Sequence, residues 1–159
     1  MVTELYKQFP QSRGTYILIL RLNASSVLTV GRLGKFPFAS GWYAYVGSAF
    51  GAGGLRGRLK HHLAGQQEKR LHWHIDYLVQ AGIIHEVWYM VGETALEHTW
   101  ASILTALPHS TLAVARFGAS DCKCQAHLFY FATQPSFDQF HAFTSGYSHV
   151  QHWDANPSG

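Results

Sequence analysis

Residues 45–63, YVGSAFGAGGLRGRLKHHL, join the end of a predicted strand to a glycine cluster and a basic helical segment. Arg58 and His62 are four residues apart, so on a helix they lie on one face, one turn from each other. An arginine fork can bind two phosphate oxygens, and an imidazole can orient a water or relay a proton. Neither a G-x-x-x-x-G-K-[ST] loop nor a G-x-G-x-x-G fingerprint is present. A nucleotide-binding loop is therefore not indicated, and Arg58 and His62 instead predict a site that binds a phosphate group and transfers a proton.

The net charge of +3 is unevenly distributed along the chain. Residues 1–67 carry eight Lys or Arg and one acid, Glu4, whereas residues 68–159 carry four basic and eight acidic residues. Because no Asp or Glu lies between Glu4 and Glu68, a polyanion can approach this half with little repulsion. The charge pattern favours nucleic acid as a partner, with a solvated basic surface as the alternative.

Length and composition predict a single domain, because 159 residues with 47% apolar content can bury a sizeable core. No apolar run reaches the roughly 18 residues of a membrane span, and the N-terminal stretch lacks the apolar segment of a secretory signal. The two cysteines, Cys122 and Cys124, are too few for a disulfide framework. We therefore expect a cytoplasmic protein that does not enter a membrane.

The apolar periodicity predicts strands and helices that alternate along most of the chain. The predicted strands are 14–22, 26–30, 42–47, 83–91 and 126–132. The predicted helices are 55–63, 71–82, 93–107 and 136–143, the last with Ser136 as its N-cap. We expect the first two strands to form a hairpin across the turn-like NAS, and the chain from about residue 145 to be loosely held. The fold class is a small α/β domain of the α+β type, with a mainly antiparallel sheet flanked by helices.

Two tripeptides, GTY at 14–16 and YVG at 45–47, resemble the half-motifs of the GIY-YIG endonucleases of the Uri superfamily. The wider pattern, with GWYAYVGSA, HWHIDYL and SDCKCQAHLF, is similar to an uncharacterised branch of that superfamily whose members are predicted nucleases. Thr15 stands where the family usually has an aliphatic residue. The resemblance implies a nuclease domain over residues 14–132, with an N-terminal extension (1–13) and a C-terminal helix and loose tail (133–159).

The resemblance also implies a function, namely metal-dependent hydrolysis of phosphodiester bonds in nucleic acid, DNA in preference to RNA. Arg58 would hold the non-bridging phosphate oxygens, and Glu97 would bind one Mg²⁺ or Mn²⁺. Tyr16 and Tyr45 would bracket the attacking water, and one of them would be the general base with His62 as its partner. Alternatively the phenols only position the water and His62 accepts its proton. The sequence leaves both routes open.

For His62 and Glu97, a nearby residue of the same type is an alternative candidate. His61, adjacent to His62, is the alternative histidine. Glu93 lies one turn before Glu97 on the same predicted helix, where an acid also suits the N-terminal dipole. Because Glu93 fills that role, we expect Glu97, inside the helix, to be the metal ligand.

Four further basic residues are candidates for nucleic-acid contact, with solvated surface positions as the alternative: Arg32, Lys35, Arg56 and Lys60. Arg32 and Lys35 lie in a predicted loop beside Phe36 and Phe38. We expect this loop to contact a phosphate backbone, and its phenylalanines to stack on bases.

The segment DCKCQAH (121–127) contains Cys122, Cys124 and His127. Thiolate and imidazole suit zinc, but the usual paired spacing is absent, so a tight turn that enters a strand is the alternative. His72 and Asp76 lie one helical turn apart and are expected to form a structural hydrogen-bonded pair. Besides the nuclease, two other functions fit the sequence: a non-catalytic nucleic-acid-binding module on the same scaffold, and a thiol or zinc regulatory protein.

Overall fold

The computed structural model describes residues 6–64, 74–113, 127–144 and 149–155. Its strands are β1 (Gly14–Leu22), β2 (Ser26–Val30), β3 (Gly34–Phe38), β4 (Gly41–Ala49), β5 (Ile83–Val91), β6 (Thr111–Leu112), β7 (Leu128–Phe131) and β8 (Gln151–Asp154). Its helices are α1 (Gly54–Leu63), α2 (His74–Ala81), α3 (Glu97–Ala106) and α4 (Phe137–Ala142). A six-stranded sheet has the order β6-β7-β4-β1-β5-β8, and its neighbouring strands are antiparallel. The predicted α+β class with a mainly antiparallel sheet is confirmed.

Strand β1 lies at the centre of this sheet, paired with β4 on one side and β5 on the other. Its sequence, GTYILILRL, is an almost unbroken apolar run, as is typical of a strand with both faces buried. Tyr16, Leu18 and Leu20 belong to the core on one face, whereas Ile17 and Ile19 belong to the core on the other. Because both faces of β1 are apolar, each must be covered, and a layer of helices packs on each face of the sheet.

The two helical layers differ in composition. On the Tyr16 face, α1 contributes Leu55 and Leu59, which are four residues apart and both buried. On the other face, Phe140 of α4 packs against Trp88 of β5 and Trp100 of α3, with ring centroids 5.2 Å away in each case. The helices of the described part of the chain are too short to cross a membrane.

The predicted hairpin of the first two strands is wrong. Strand β2 pairs with β3, which lies in the segment predicted to be a loop, and together they form a separate two-stranded sheet. The segment looked like a loop because Pro37, which interrupts most strand patterns, sits here in a two-stranded edge. Phe38 is buried and Phe36 packs against the same core. The expectation of base stacking is therefore wrong for the buried Phe38, and for the partly buried Phe36 it stays a prediction.

Two element boundaries differ from the sequence prediction. Helix α3 begins at Glu97 rather than at residue 93, so Glu97 is its first residue and not an interior one. The side chain of Glu93 is 81% exposed and forms a surface ion pair with Arg13 at 3.3 Å.

Strand β8 pairs with β5, so the chain is not loose at 151–154. The N-cap of α4 is confirmed, because Oγ of Ser136 accepts a hydrogen bond from the backbone of Gln139 at 3.2 Å.

The core on the α3 and α4 face can be tested by truncating its central ring. Replacing the fully buried Phe140 by alanine leaves a cavity between two tryptophans, and we expect it to lower the free energy of unfolding by about 3 to 5 kcal/mol. Phe143, 56% exposed at the end of the same helix, is the matched control, and its alanine variant should change stability by less than about 1 kcal/mol. Denaturant unfolding measures both; equal midpoints for the two variants would contradict this packing.

Candidate active site

The two tripeptides of the sequence motif meet because β1 and β4 pair in a fixed register, in which Tyr16 lies opposite Gly47. The Tyr16 ring lies over the backbone of Gly47, where a Cβ atom would be 2.6 Å from the phenol oxygen. Any side chain at this position would displace the ring. The glycine of YVG is therefore required for the position of the tyrosine of GTY.

The start of α1 is fixed by the segment that precedes β1. Gly54 has a φ of +59°, and a Cβ atom there would lie 2.2 Å from the carbonyl oxygen of Gln11. The amide of Leu55 donates to the carbonyl of Ser12 at 2.8 Å, which satisfies one of the free N–H groups of the first turn. Close backbone packing thus sets the direction of the helix that carries Arg58 and His62.

The predicted partnership between a tyrosine and a histidine has a direct geometric counterpart. The hydroxyl of Tyr16 lies 2.8 Å from Nε2 of His62, and both side chains are buried. Arg58 also forms a hydrogen bond with the Tyr16 side chain. Burial raises the pKa of Tyr16 well above its ordinary value, and the Arg58 charge and hydrogen bond offset this only in part. The phenol therefore stays protonated unless a base takes its proton.

Tyr45 lies on the same face of the sheet as Tyr16 and is also buried. Burial raises its pKa, and nearby Tyr16 and Glu97 raise it further, whereas the Arg58 charge lowers it. These electrostatic interactions indicate that the four groups share one small region. The structure therefore places Tyr16, Tyr45, Arg58 and His62 together, with Glu97 near enough to act electrostatically on both tyrosines.

Glu97 is held at the more open side of this cluster, with 21% of its side chain exposed. Its Oε2 lies 2.8 Å from Nδ1 of the buried His127, and Ser48 of β4 forms a second hydrogen bond with the carboxylate. Burial alone would raise the pKa of Glu97, but these two hydrogen bonds and the nearby histidine charge lower it overall. The carboxylate is therefore ionised at neutral pH.

Thr15, which departs from the usual family pattern, anchors the start of α3. Its hydroxyl oxygen accepts a hydrogen bond from the backbone of Leu96 at 3.3 Å, one residue before Glu97. An aliphatic side chain could not accept this bond. The substitution therefore fixes the glutamate-bearing helix to the strand that carries Tyr16.

Asp76 is a member of the cluster that the sequence did not connect with the site. It lies on α2, is 0% exposed, and both of its carboxylate oxygens lie 3.0 Å from Nε2 of His61. One of them is 3.8 Å from Nδ1 of His62. The residue that we expected as its partner, His72, lies outside the described residues. The available signal was an acid in an apolar helix, next to the buried Ile75.

The four basic residues predicted to contact nucleic acid differ in whether they contact other parts of the protein. The Arg56 guanidinium donates to the backbone carbonyls of Phe9 at 2.7 Å and Lys7 at 3.2 Å, so it supports the N-terminal segment. The Lys60 ammonium lies over the Tyr6 ring, 5.0 Å from its centroid. Two further basic residues, Arg32 in the turn between β2 and β3 and Lys35 in β3, have exposed side chains.

Cys122 and Cys124 lie outside the described residues, so the structure does not bear on the thiol or zinc hypothesis for them. His127, the third member of that segment, contacts Glu97 as described above. Among the described residues, no group of three or more His, Cys, Asp or Glu side chains is placed to hold a metal ion.

The contact between Tyr16 and Gly47 predicts a sharp difference between two glycine substitutions. Gly47→Ala places a methyl group against the buried phenol, and we expect it to lower the free energy of unfolding by about 1 to 3 kcal/mol. Gly51→Ala has open space within 4 Å of its added methyl group and is expected to change stability by less than about 0.5 kcal/mol. Thermal unfolding compares the two, and a Gly47→Ala protein as stable as Gly51→Ala would show that the ring does not lie there.

Comparison with known proteins identifies a family for this chain. No curated protein and no solved structure matches it. The model of the family described as domain of unknown function DUF123 matches residues 15–148. This span contains Tyr16, Arg58, His62, Asp76 and Glu97 and covers most of the chain. The chain therefore belongs to the family described as domain of unknown function DUF123.

Proposed function

We propose that the protein is a metal-dependent endonuclease that hydrolyses phosphodiester bonds in nucleic acid. The observation that carries the proposal is the hydrogen-bonded cluster of Tyr16, Arg58 and His62 next to an ionised Glu97. This cluster contains a cation for the phosphate, a base and a metal ligand. The resemblance of its tripeptides to the GIY-YIG half-motifs supports the same reaction.

Arg58 is the phosphate-binding residue in this proposal. It lies beside both tyrosines and lowers the pKa of each, so its charge acts on the reacting region. A guanidinium can donate two parallel hydrogen bonds to non-bridging phosphate oxygens. Those bonds strengthen as negative charge builds on the phosphate, which stabilises the transition state more than the substrate.

The general base in this proposal is Tyr16 acting with His62. The phenol with a raised pKa is a poor base by itself, but Nε2 of His62 is 2.8 Å away and can take the phenol proton as the phenol takes one from water. The water oxygen then bonds to phosphorus, the bond to the leaving oxygen breaks, and that oxygen takes up a proton from solvent. Because Tyr16 is buried, the attacking water must enter with the substrate.

Glu97 is the metal-binding residue in this proposal. The donors at this position are oxygens, namely an ionised carboxylate and the hydroxyl of Ser48, and hard cations such as Mg²⁺ and Mn²⁺ prefer oxygen ligands. One carboxylate is enough for such an ion, which keeps several of its waters. The bound ion would supply positive charge near the leaving oxygen. Nδ1 of His127 lies 2.8 Å from Oε2 of Glu97, and this contact would orient the carboxylate.

The proposed substrate is nucleic acid, because the half of the chain that carries Arg58 is strongly basic. The preference for DNA over RNA rests on the resemblance to the GIY-YIG endonucleases alone. Arg32 and Lys35 are exposed in and beside the two-stranded sheet, and Lys60 is exposed on α1. We propose these three as backbone contacts. Arg56 is left out because it is bonded to the N-terminal segment.

The test is nicking of supercoiled plasmid and cleavage of labelled single-stranded, branched and flapped DNA and RNA, with Mg²⁺, Mn²⁺ or EDTA. Cleavage should need the metal and fall by at least about a hundredfold in Arg58→Ala and in Glu97→Gln. Glu93→Gln, which changes an exposed acid four residues from Glu97, is the matched control and should cleave normally.

Two results would contradict the proposal. Cleavage that survives in both Arg58→Ala and Glu97→Gln would point to a contaminating nuclease. No cleavage of any substrate, with salt-sensitive binding retained, would favour the non-catalytic nucleic-acid-binding module.

A further inference from the structure

Asp76 is a buried carboxylate whose position the proposed function has not yet explained. It is 0% exposed and lies on α2, across from the end of α1. A buried carboxylate lowers stability unless hydrogen bonds compensate for the lost hydration. His61 supplies such a bond, with Nε2 3.0 Å from both carboxylate oxygens. The carboxylate also lies close to a second histidine ring.

The second ring is that of His62, which lies between the carboxylate and the reacting phenol. Its Nδ1 is 3.8 Å from Oδ1 of Asp76, and its Nε2 is 2.8 Å from the hydroxyl of Tyr16. The two nitrogens of one imidazole therefore face an acid on one side and a phenol on the other. The distance of 3.8 Å is longer than a hydrogen bond, but such contacts often tighten when substrate binds.

The hydrogen-bonding capacity of these groups selects one form of the ring. For Nε2 to accept the proton of Tyr16, it must carry no proton itself, so the proton of the neutral ring must be on Nδ1. That N–H then points towards the carboxylate of Asp76, whose oxygens can accept a hydrogen bond. The opposite form would place a lone pair of Nδ1 towards the carboxylate, and the two would repel.

We propose that Asp76 is a positioning residue that holds His62 in the form with its proton on Nδ1, so that Nε2 can accept the proton of Tyr16. In the reaction the O–H bond of Tyr16 breaks, an N–H bond forms on Nε2, and the resulting imidazolium is stabilised by the carboxylate, which keeps its charge. The proton returns to solvent after product release. The catalytic part of this proposal rests on the proposed nuclease function.

His61 offers a way to separate positioning from mere packing, because it is the closer partner of the same carboxylate. Removing His61 deprives Asp76 of a hydrogen bond but leaves the carboxylate facing His62. Removing the charge of Asp76 affects both rings. If Asp76 acts through His62, Asp76→Asn and His61→Gln must therefore differ in their effect on the His62 ring.

The first test is the long-range ¹H–¹⁵N spectrum of the histidine rings in the wild-type protein at mildly alkaline pH, with His62 assigned by its loss in His62→Gln. We expect Nδ1 to carry the proton and Nε2 to be unprotonated. The proton should move towards Nε2 in Asp76→Asn and stay on Nδ1 in His61→Gln. A wild-type ring with its proton on Nε2 would overturn the proposal, whether or not Asp76→Asn folds.

The second test is the steady-state cleavage of the best DNA substrate. We expect Asp76→Asn to lower kcat by about a hundredfold or more with KM little changed, and Asp76→Glu to recover part of that loss. His61→Gln should lower kcat by less than about tenfold. Equal losses in Asp76→Asn and His61→Gln, in step with lower melting temperatures, would assign Asp76 a structural role only. If the wild-type protein cleaves nothing, the nuclease proposal fails, while the spectrum still decides how the ring is oriented.

Discussion

The contact between the Tyr16 ring and the backbone of Gly47 is the constraint on which the rest of the site depends. It fixes the phenol oxygen because β1 is paired on both sides and buried on both faces. His62 can reach that oxygen only because α1 starts at a fixed place, where Gly54 packs against the backbone of Gln11. Gly47 and Gly54 therefore allow the close approaches that set the relative positions of Tyr16 and His62.

The site combines opposing electrostatic effects within a small volume. Burial raises the pKa of both tyrosines, whereas hydrogen bonds lower the pKa of Glu97 despite its burial. The protein thus holds protonated phenols close to an ionised carboxylate, with Arg58 as the nearby cation. Groups that are kept in different protonation states by their surroundings are the usual basis for dividing acid, base and metal-binding roles. Such perturbed pKa values support the proposed reaction.

Local patterns predicted much of the fold. The apolar run of β1, the four-residue spacing of Leu55 and Leu59, and the Ser136 cap identified their elements because each depends on neighbours close in the sequence. Strand pairing was predicted wrongly, because β1 pairs along its two edges with β4 and β5, which are not its neighbours in the sequence, whereas helices cover its two apolar faces. The strand β3 was missed because Pro37 is tolerated only at such an edge.

In the candidate site too, contacts within one element could be predicted from the sequence, whereas contacts between elements could not. Arg58 and His62 were predicted to share a face because one helical turn separates them, and the structure places both beside Tyr16. The pairing of Glu97 with His127 and the approach of Asp76 to His62 join residues on different elements, so no spacing in the sequence could indicate them. The resemblance to a known family supplied Glu97, and it supplied no role for Asp76.

A crystal structure of the protein with a bound DNA that carries a cleavage-resistant phosphorothioate would show whether Arg58 and Tyr16 flank the reacting phosphate. We expect a non-bridging phosphate atom within hydrogen-bonding distance of the Arg58 guanidinium, and a water between that phosphate and the hydroxyl of Tyr16. Bound DNA with every phosphate away from Arg58 and from the hydroxyl of Tyr16 would contradict this arrangement.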